Sequence, residues 1–313
     1  MANFEGSSTT NFGSAVTGQA NQFWVPEIFS KKVQVAFRKA SVAEALCNTD
    51  YMGEIASFGD TVNIIKEPQI TVYDYSRGAD LTATPLTDEE LVLTVDQAKA
   101  FEFSIDDLET RFSHVNWQAL AADNAGYKLK DAMDSNVLTA MVAGASATNA
   151  YGSTTDALDV GFGSGELDPL DILARQARLL DDQNVPEENR WVVADPVFYE
   201  ELAKTSSKLM SADYNQGDGG LRNGLIASGK LRGFSLYKSN NVPTWTGTGT
   251  SNGLSGNVVL AGHMSSTACA SALTTMETIR STTTFADIVR GLLVWGRKVL
   301  RPEALSVAYV SID

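Results

Sequence analysis

From Asp60 to Thr110 apolar and polar residues alternate, and a run of alternation that long commits the chain to a paired β excursion. Thr61-Val62-Asn63-Ile64-Ile65-Lys66 and Gln69-Ile70-Thr71-Val72-Tyr73-Asp74-Tyr75 read as strands. Leu91-Val92-Leu93-Thr94-Val95 and Ala100-Phe101-Glu102-Phe103-Ser104-Ile105 resume the pattern beyond a polar tip spanning Arg77 to Glu90. Twelve acids and three bases lie between Asp60 and Glu109, so most of the chain's net charge of −14 sits in this one excursion. Such a tip builds no core, and a hairpin on its own is marginal in water. The excursion therefore needs a surface to lie on, and a neighbouring subunit is the natural one. Arg77, Asp80, Asp88, Glu89 and Glu90 are the candidate contacts, with Arg77 expected to pair with a neighbour's carboxylates and set register.

The period then becomes helical. Asn116 is a possible cap, and Trp117, Ala121, Ala125, Leu129, Met133, Val137 and Met141 recur every four residues up to a stop at Gly144. A repeat of four overshoots the 3.6-residue turn, so this stripe winds round the helix and its two ends meet different neighbours. After a Gly/Ser/Thr-rich loop, Asp168-Pro169 opens a second helix that turns Leu170, Leu173, Ala177 and Leu180 inward. Arg190 to Ala194 reads as a buried strand, and Asp195-Pro196 opens a third helix to about Lys204. A loop reaches Gly224 and contains Asn215-Gln216-Gly217-Asp218-Gly219-Gly220, so rich in glycine that it is either mobile or held by other chains; Asp218 is a further contact candidate. Leu231 to Lys238 reads as one strand, Thr244 to Gly256 as a loop, Asn257 to Ala261 as a strand and Thr267 to Leu273 as a short helix. Met276 to Thr283, Gly291 to Val299 and Ala304 to Ile312 close the chain as strands.

Residues 1–22 read as an arm rich in Gly, Ser, Thr and Asn, and the helix from Pro26 to about Lys39 carries Lys31, Lys32, Arg38 and Lys39 on a face that is either solvated or turned to nucleic acid. The acidic balance argues against a protein that grips nucleic acid, although a container can enclose it without adhering. The start has no basic and apolar leader pattern, so synthesis in the cytoplasm is expected, and no apolar run approaches a membrane span. Cys47 and Cys269 read as two buried thiols.

Catalytic patterns are scarce. His114 and His263 have no second histidine at metal-ligand spacing, and no nucleophile elbow, Walker loop or zinc-protease motif occurs. Gly161-Phe162-Gly163-Ser164-Gly165 looks like a phosphate cradle but follows a polar loop and not a strand. The acid groups Asp106-Asp107, Asp181-Asp182 and Asp88-Glu89-Glu90 read as solvated side chains. No cofactor, metal or catalytic residue is expected.

The order of arm, basic helix, long β excursion, long helix, α/β lobe with a glycine-rich loop, and closing strands resembles the major capsid proteins of tailed bacteriophages, which share the Hong Kong 97 (HK97) fold. The closing phrase from Ile288 to Glu303 resembles their final segment too. The resemblance implies an α+β fold with an arm and helix at 1–59, an E-loop at 60–110, a peripheral domain at 111–166 and 259–313 with its spine helix at Trp117 to Ala143, and an axial domain at 167–258. It also implies a structural protein of the virion that assembles with itself into hexamers and pentamers of an icosahedral shell around double-stranded DNA, without sequence-specific binding. A separate scaffolding protein, a portal and decoration proteins would be partners. Nothing singles out Lys66 or any asparagine for the covalent crosslink of some members. Two alternatives remain at this stage: an encapsulin-like nanocompartment shell holding a cargo protein, and a soluble enzyme using a carboxylate pair.

Overall fold

Arg190-Trp191-Val192-Val193-Ala194 is apolar at four consecutive positions, and such a strand has to be covered on both faces. The computed structural model describes residues 38–312 except 40, 52–59, 69, 71, 75–76, 79, 81–88, 108–116, 164, 205–220, 223–224, 227–229 and 249–254. Its helices are α1 (Ala43–Leu46), α2 (Trp117–Gly144), α3 (Pro169–Asp182) and α4 (Pro196–Ala203). Its strands are β1 (Thr61–Lys66), β2 (Glu89–Thr94), β3 (Gln97–Asp106), β4 (Ala150–Tyr151), β5 (Leu158–Asp159), β6 (Arg190–Ala194), β7 (Leu221–Arg222), β8 (Leu225–Ile226), β9 (Lys230–Leu231), β10 (Phe234–Lys238), β11 (Thr244–Thr246), β12 (Ser255–His263), β13 (Thr267–Arg280), β14 (Ala286–Val299) and β15 (Leu305–Ser311).

The principal sheet runs β4-β15-β12-β6-β10-β9, with β11 on β12 and β5 on β15. Alternation divides its central strands between two cores. Trp191, Val193, Val258, Leu260, Leu305 and Val307 face α2, where Leu129, Met133, Val137, Leu138 and Met141 meet them. The intervening Val192, Ala194, Val259, Ala261, Ala308 and Val310 face Ile172, Leu173 and Leu180 of α3 and Phe198 and Leu202 of α4. Both of these helices start where the sequence places them: the Asp168 carboxylate accepts from Leu170 N at 2.9 Å, the Asp195 carboxylate from Val197 N at 3.3 Å, and a proline follows each cap.

A second sheet, β13-β14-β3, grows out of the first. The antiparallel pair β12–β15 continues as the antiparallel pair β13–β14 across a corner formed by Met264–Ser266 and Pro302–Ala304. Leu300 N and Arg301 N both donate to Ser266 O there, at 2.8 and 3.1 Å, so the two turns are tied together.

Several expectations are corrected. The span from Thr267 to Leu273 is strand and not helix, because pairing with β14 overrides the helix propensity of its alanines: Ala268 and Ala270 are buried in one cluster and Cys269 in another, a two-residue period. Leu231 to Lys238 is two strands, since Arg232 and Gly233 at φ of 53° and 84° make a two-residue hairpin turn between β9 and β10. Thr244 to Gly256 contains β11 and the start of β12. Ile70, Val72, Tyr73 and Asp74 lie outside any strand and are exposed, and β3 pairs with β14, so the paired excursion is β1 with β2. The arm and nearly all of the first basic helix lie outside the described residues.

Gly296 of β14 passes beneath the link from β2 to β3, where a Cβ would lie 2.5 Å from Thr94 O and 3.0 Å from Val95 Cα. Backbone cannot yield as a side-chain tip does. Gly296→Val is expected to cost about 1–3 kcal/mol, read as a lower denaturation midpoint with an unchanged m-value.

Candidate subunit interface

The β1–β2 hairpin has one face held and one face open. Val62 is opposite Leu93 and Ile64 opposite Leu91, and this face packs on Val95, Ala268, Ala270 and Val294. Leu93 is completely buried. On the other face, where Asn63 is opposite Val92 and Ile65 opposite Glu90, Ile65 is 75% and Val92 40% exposed. Beyond the end of β1, Ile70 and Val72 are exposed as well. Fully covering an exposed aliphatic side chain contributes about 1.5–3 kcal/mol, so the three-quarters exposed Ile65 holds most of the gain left on this face and the partly covered Val92 less. A second apolar group, Met276, Ile279 and the 80% exposed Phe285, lies towards the outer end of the β13–β14 hairpin. The charges beside it are already paired, Arg280 with Asp107 and Asp287 and Arg290 with Glu277.

Among the predicted contact residues, Arg77 and Gly78 form a turn with Gly78 at φ +88°, and Arg77, Asp80 and Glu90 are exposed. Glu89 opens β2 opposite Lys66, whereas Asp88 and Asp218 lie outside the described residues. The structure thus brings Glu89 and Glu90 onto the hairpin and places Arg77 and Asp80 beyond its strands.

Sequence reasoning passed over Asp134. Its buried carboxylate accepts from Val42 N at 2.8 Å, Ala43 N at 2.7 Å, Ser41 Oγ at 3.2 Å and Asn241 Nδ2 at 3.0 Å. It therefore anchors the start of α1 and the turn after β10 to the middle of α2. Asn241 also donates to Asp131 and accepts from Lys39 Nζ, and Arg38 pairs with Asp123 over the Tyr127 ring. Arg38 and Lys39, candidates for nucleic-acid contact, are thus engaged within the chain. The one signal available in sequence was a carboxylate beside the apolar stripe, next to Met133 and three residues before Val137.

Elsewhere the polar candidates are occupied singly. Glu166 places its carboxylate in the glycine loop, accepting from Gly163 N at 2.6 Å, so the apparent cradle holds the protein's own anion. Asp181 binds the buried Arg190 at 2.6 Å, while Asp182 faces Arg178. The His263 ring accepts from Ser265 N, and burial keeps its pKa below the ordinary value; His114 is outside the described residues. Among the described residues no group of three or more His, Cys, Asp or Glu is arranged to hold a metal ion, and no helix is long and apolar enough to cross a membrane.

Removing the Asp134 carboxylate leaves two buried backbone N–H groups without an acceptor, at about 1–3 kcal/mol each. Asp134→Ala is expected to lower stability by about 2–5 kcal/mol and to expose the segment around residues 39–48 to protease. Asp134→Asn keeps an acceptor oxygen and should lose less.

Residues 88–308 match the family model described as phage capsid protein. No curated protein matches in sequence. Among solved structures, the chain is similar to one from Mycobacterium phage Che8, at 27% identity and a TM-score of 0.73, covering 91% of this chain and 97% of that one. It is also similar to the capsid of the cyanophage P-SCSP1u, at 20% identity and a TM-score of 0.71 over 95% and 96% of the two chains. The mature capsid of bacteriophage PhiM1 matches at 15% identity and a TM-score of 0.64, over 92% of each.

Proposed function

From the phage capsid protein family, to which this chain belongs as a structural major capsid protein, we propose that its copies associate into hexamers and pentamers of a closed icosahedral shell around double-stranded DNA. One observation carries the mode of association: Val62 and Ile64 fix one face of the β1–β2 hairpin to its own subunit, and the other face leaves the aliphatic side chains of Ile65 and Val92 uncovered. That face lies on an adjacent subunit, with the tip residues Arg77 and Asp80 reaching further across and Arg77 meeting a neighbour's carboxylate. Asp88, Glu89, Glu90 and Asp218 supply the acidic side of such contacts. Many modest contacts of this type, repeated by symmetry, suffice for a stable closed lattice.

The protein works mechanically and performs no catalysis. Its acidity suits a wall that encloses DNA without gripping it, and synthesis in the host cytoplasm precedes assembly. A separate scaffolding protein and a portal act as partners, and decoration proteins can add to the outer surface. The domain division into arm, E-loop, peripheral and axial parts follows the same reading. The similarities found are to phage capsids, and neither an encapsulin-like shell nor a carboxylate enzyme draws support from them.

Electron microscopy and sedimentation of the protein, alone and with its scaffolding protein, test this. Wild type should give closed shells or capsomer-sized rings, and the double variant Ile65→Asp with Val92→Asp should give soluble, folded subunits with shell yield down at least tenfold. Shells of normal yield from the double variant would remove the hairpin from the interface; a small discrete oligomer from wild type under both conditions would remove the shell. Arg77→Glu should lower particle yield or alter diameter, and unchanged particles would discard its pairing role.

A further inference from the structure

The chain holds two histidines, His114 and His263, and His263 stands at the corner where the principal sheet passes into the second. It precedes the Met264–Ser266 turn with an extended backbone, φ −113° and ψ 148°, and its own ring caps that turn: Nδ1 accepts from Ser265 N at 3.1 Å. A backbone N–H can only donate, so Nδ1 is bare and the ring proton sits on Nε2. Ser265 Oγ lies 2.8 Å from the same nitrogen. The turn capped in this way carries the buried Ser266, whose carbonyl takes both Leu300 N and Arg301 N and so binds the two crossings of the corner together. The ring is half-buried. Among the described residues the charged groups that act on it are Arg190, its register partner on β6, and Arg301 beside the second turn, while Glu188 acts through its backbone.

We propose that His263 is an acid-sensitive pin of this corner: protonation of Nδ1 releases the Met264–Ser266 turn and loosens the β13–β14 hairpin against the principal sheet. The inference does not rest on the assembly reading, because every group concerned lies in one subunit. A protonated Nδ1 is a donor facing another donor, Ser265 N, which loses its acceptor. The Ser265 hydroxyl can turn and accept from the charged ring, so the ring keeps its side-chain partner while the backbone is let go. Burial of the ring, with repulsion from Arg190 and Arg301, outweighs the favourable Glu188 backbone and holds the His263 pKa below the ordinary value. Stability tied to the neutral ring is therefore complete above the ordinary histidine value of 6.5, and is lost as the pH falls below it and through the lower value of the folded ring. No side chain other than histidine changes charge between about pH 5 and 8 at its ordinary pKa, so His114 is the one competing source of such a response. The corner also has leverage. β13 and β14 each run 14 residues from it, roughly 45 Å at the rise of an extended strand, so a few degrees at the corner become several ångströms at the far end.

The test is amide hydrogen exchange of the full-length chain, read by mass spectrometry at about pH 7.5 and about pH 5.5 in one assembly state, with intrinsic rates divided out. Peptides covering His263 to Thr267 and Leu300 to Leu305 should lose about fivefold in protection at the lower pH, the size expected for one lost cap, while α3 stays unchanged. His263→Asn supplies an oxygen that caps without titrating, so its corner should stay protected at both pH values, and His114→Asn should keep the wild-type response. Hydrogen exchange at ring C2 of His263 in wild type gives its titration midpoint directly, expected below 6.5, and decides the matter if His263→Asn fails to fold. Equal corner protection at the two pH values, a loss spread evenly over all peptides, an acid response that survives in His263→Asn or vanishes in His114→Asn, or a His263 midpoint at or above 6.5 would each overturn the inference.

Discussion

The fold depends on the burial of β6, β12 and β15 on both faces. Because successive residues of these strands point to opposite sides, covering only one side would leave Val192, Val259, Ala261 and Val310, or else Trp191, Val193, Leu260 and Val307, in water. The sheet must therefore be sandwiched, by the inner half of α2 on one side and by α3 with α4 on the other. Once those layers are in place, β12 and β15 can leave the sandwich only at its edge, which they do together at the Met264–Ser266 and Pro302–Ala304 corner, continuing as β13 and β14. The position of the second sheet, and with it the hairpin that packs on Val294 and Ala270, follows from that exit.

Local signals were legible wherever they acted alone. Asp168-Pro169 and Asp195-Pro196 start their helices because a cap and a proline need only the next turn, and Arg190 to Ala194 is a strand because its run of apolar residues is too short for a helix and too long for a turn. Long-range pairing was not legible. The alanines of Thr267 to Leu273 favour a helix in isolation, and only the partner strand β14, itself distant from any motif, makes them β. The Arg232-Gly233 turn carries none of the usual Asn-Gly or Asp-Gly signature, so it read as strand interior. The alternation of β1 and β2 was visible, but which face of the hairpin would be held and which left open depends on β13 and β14.

Asp134 illustrates the same limit for polar groups. A carboxylate beside an apolar helix stripe reveals nothing about its partners, because the backbone N–H groups of Val42 and Ala43 are supplied by a segment about ninety residues away. Electrostatic and hydrogen-bonding demands of buried groups are satisfied by tertiary geometry that composition does not encode.

The open face of the hairpin ties the thermodynamics of the single chain to its company. In the proposed contact, covering Ile65 and Val92 adds free energy on association that folding alone never collects. For subunits joined through that proposed contact, mass action makes the apparent stability of the folded chain rise with subunit concentration. Through the proposed contact, part of each subunit's stability becomes a property of the population as well as of the molecule.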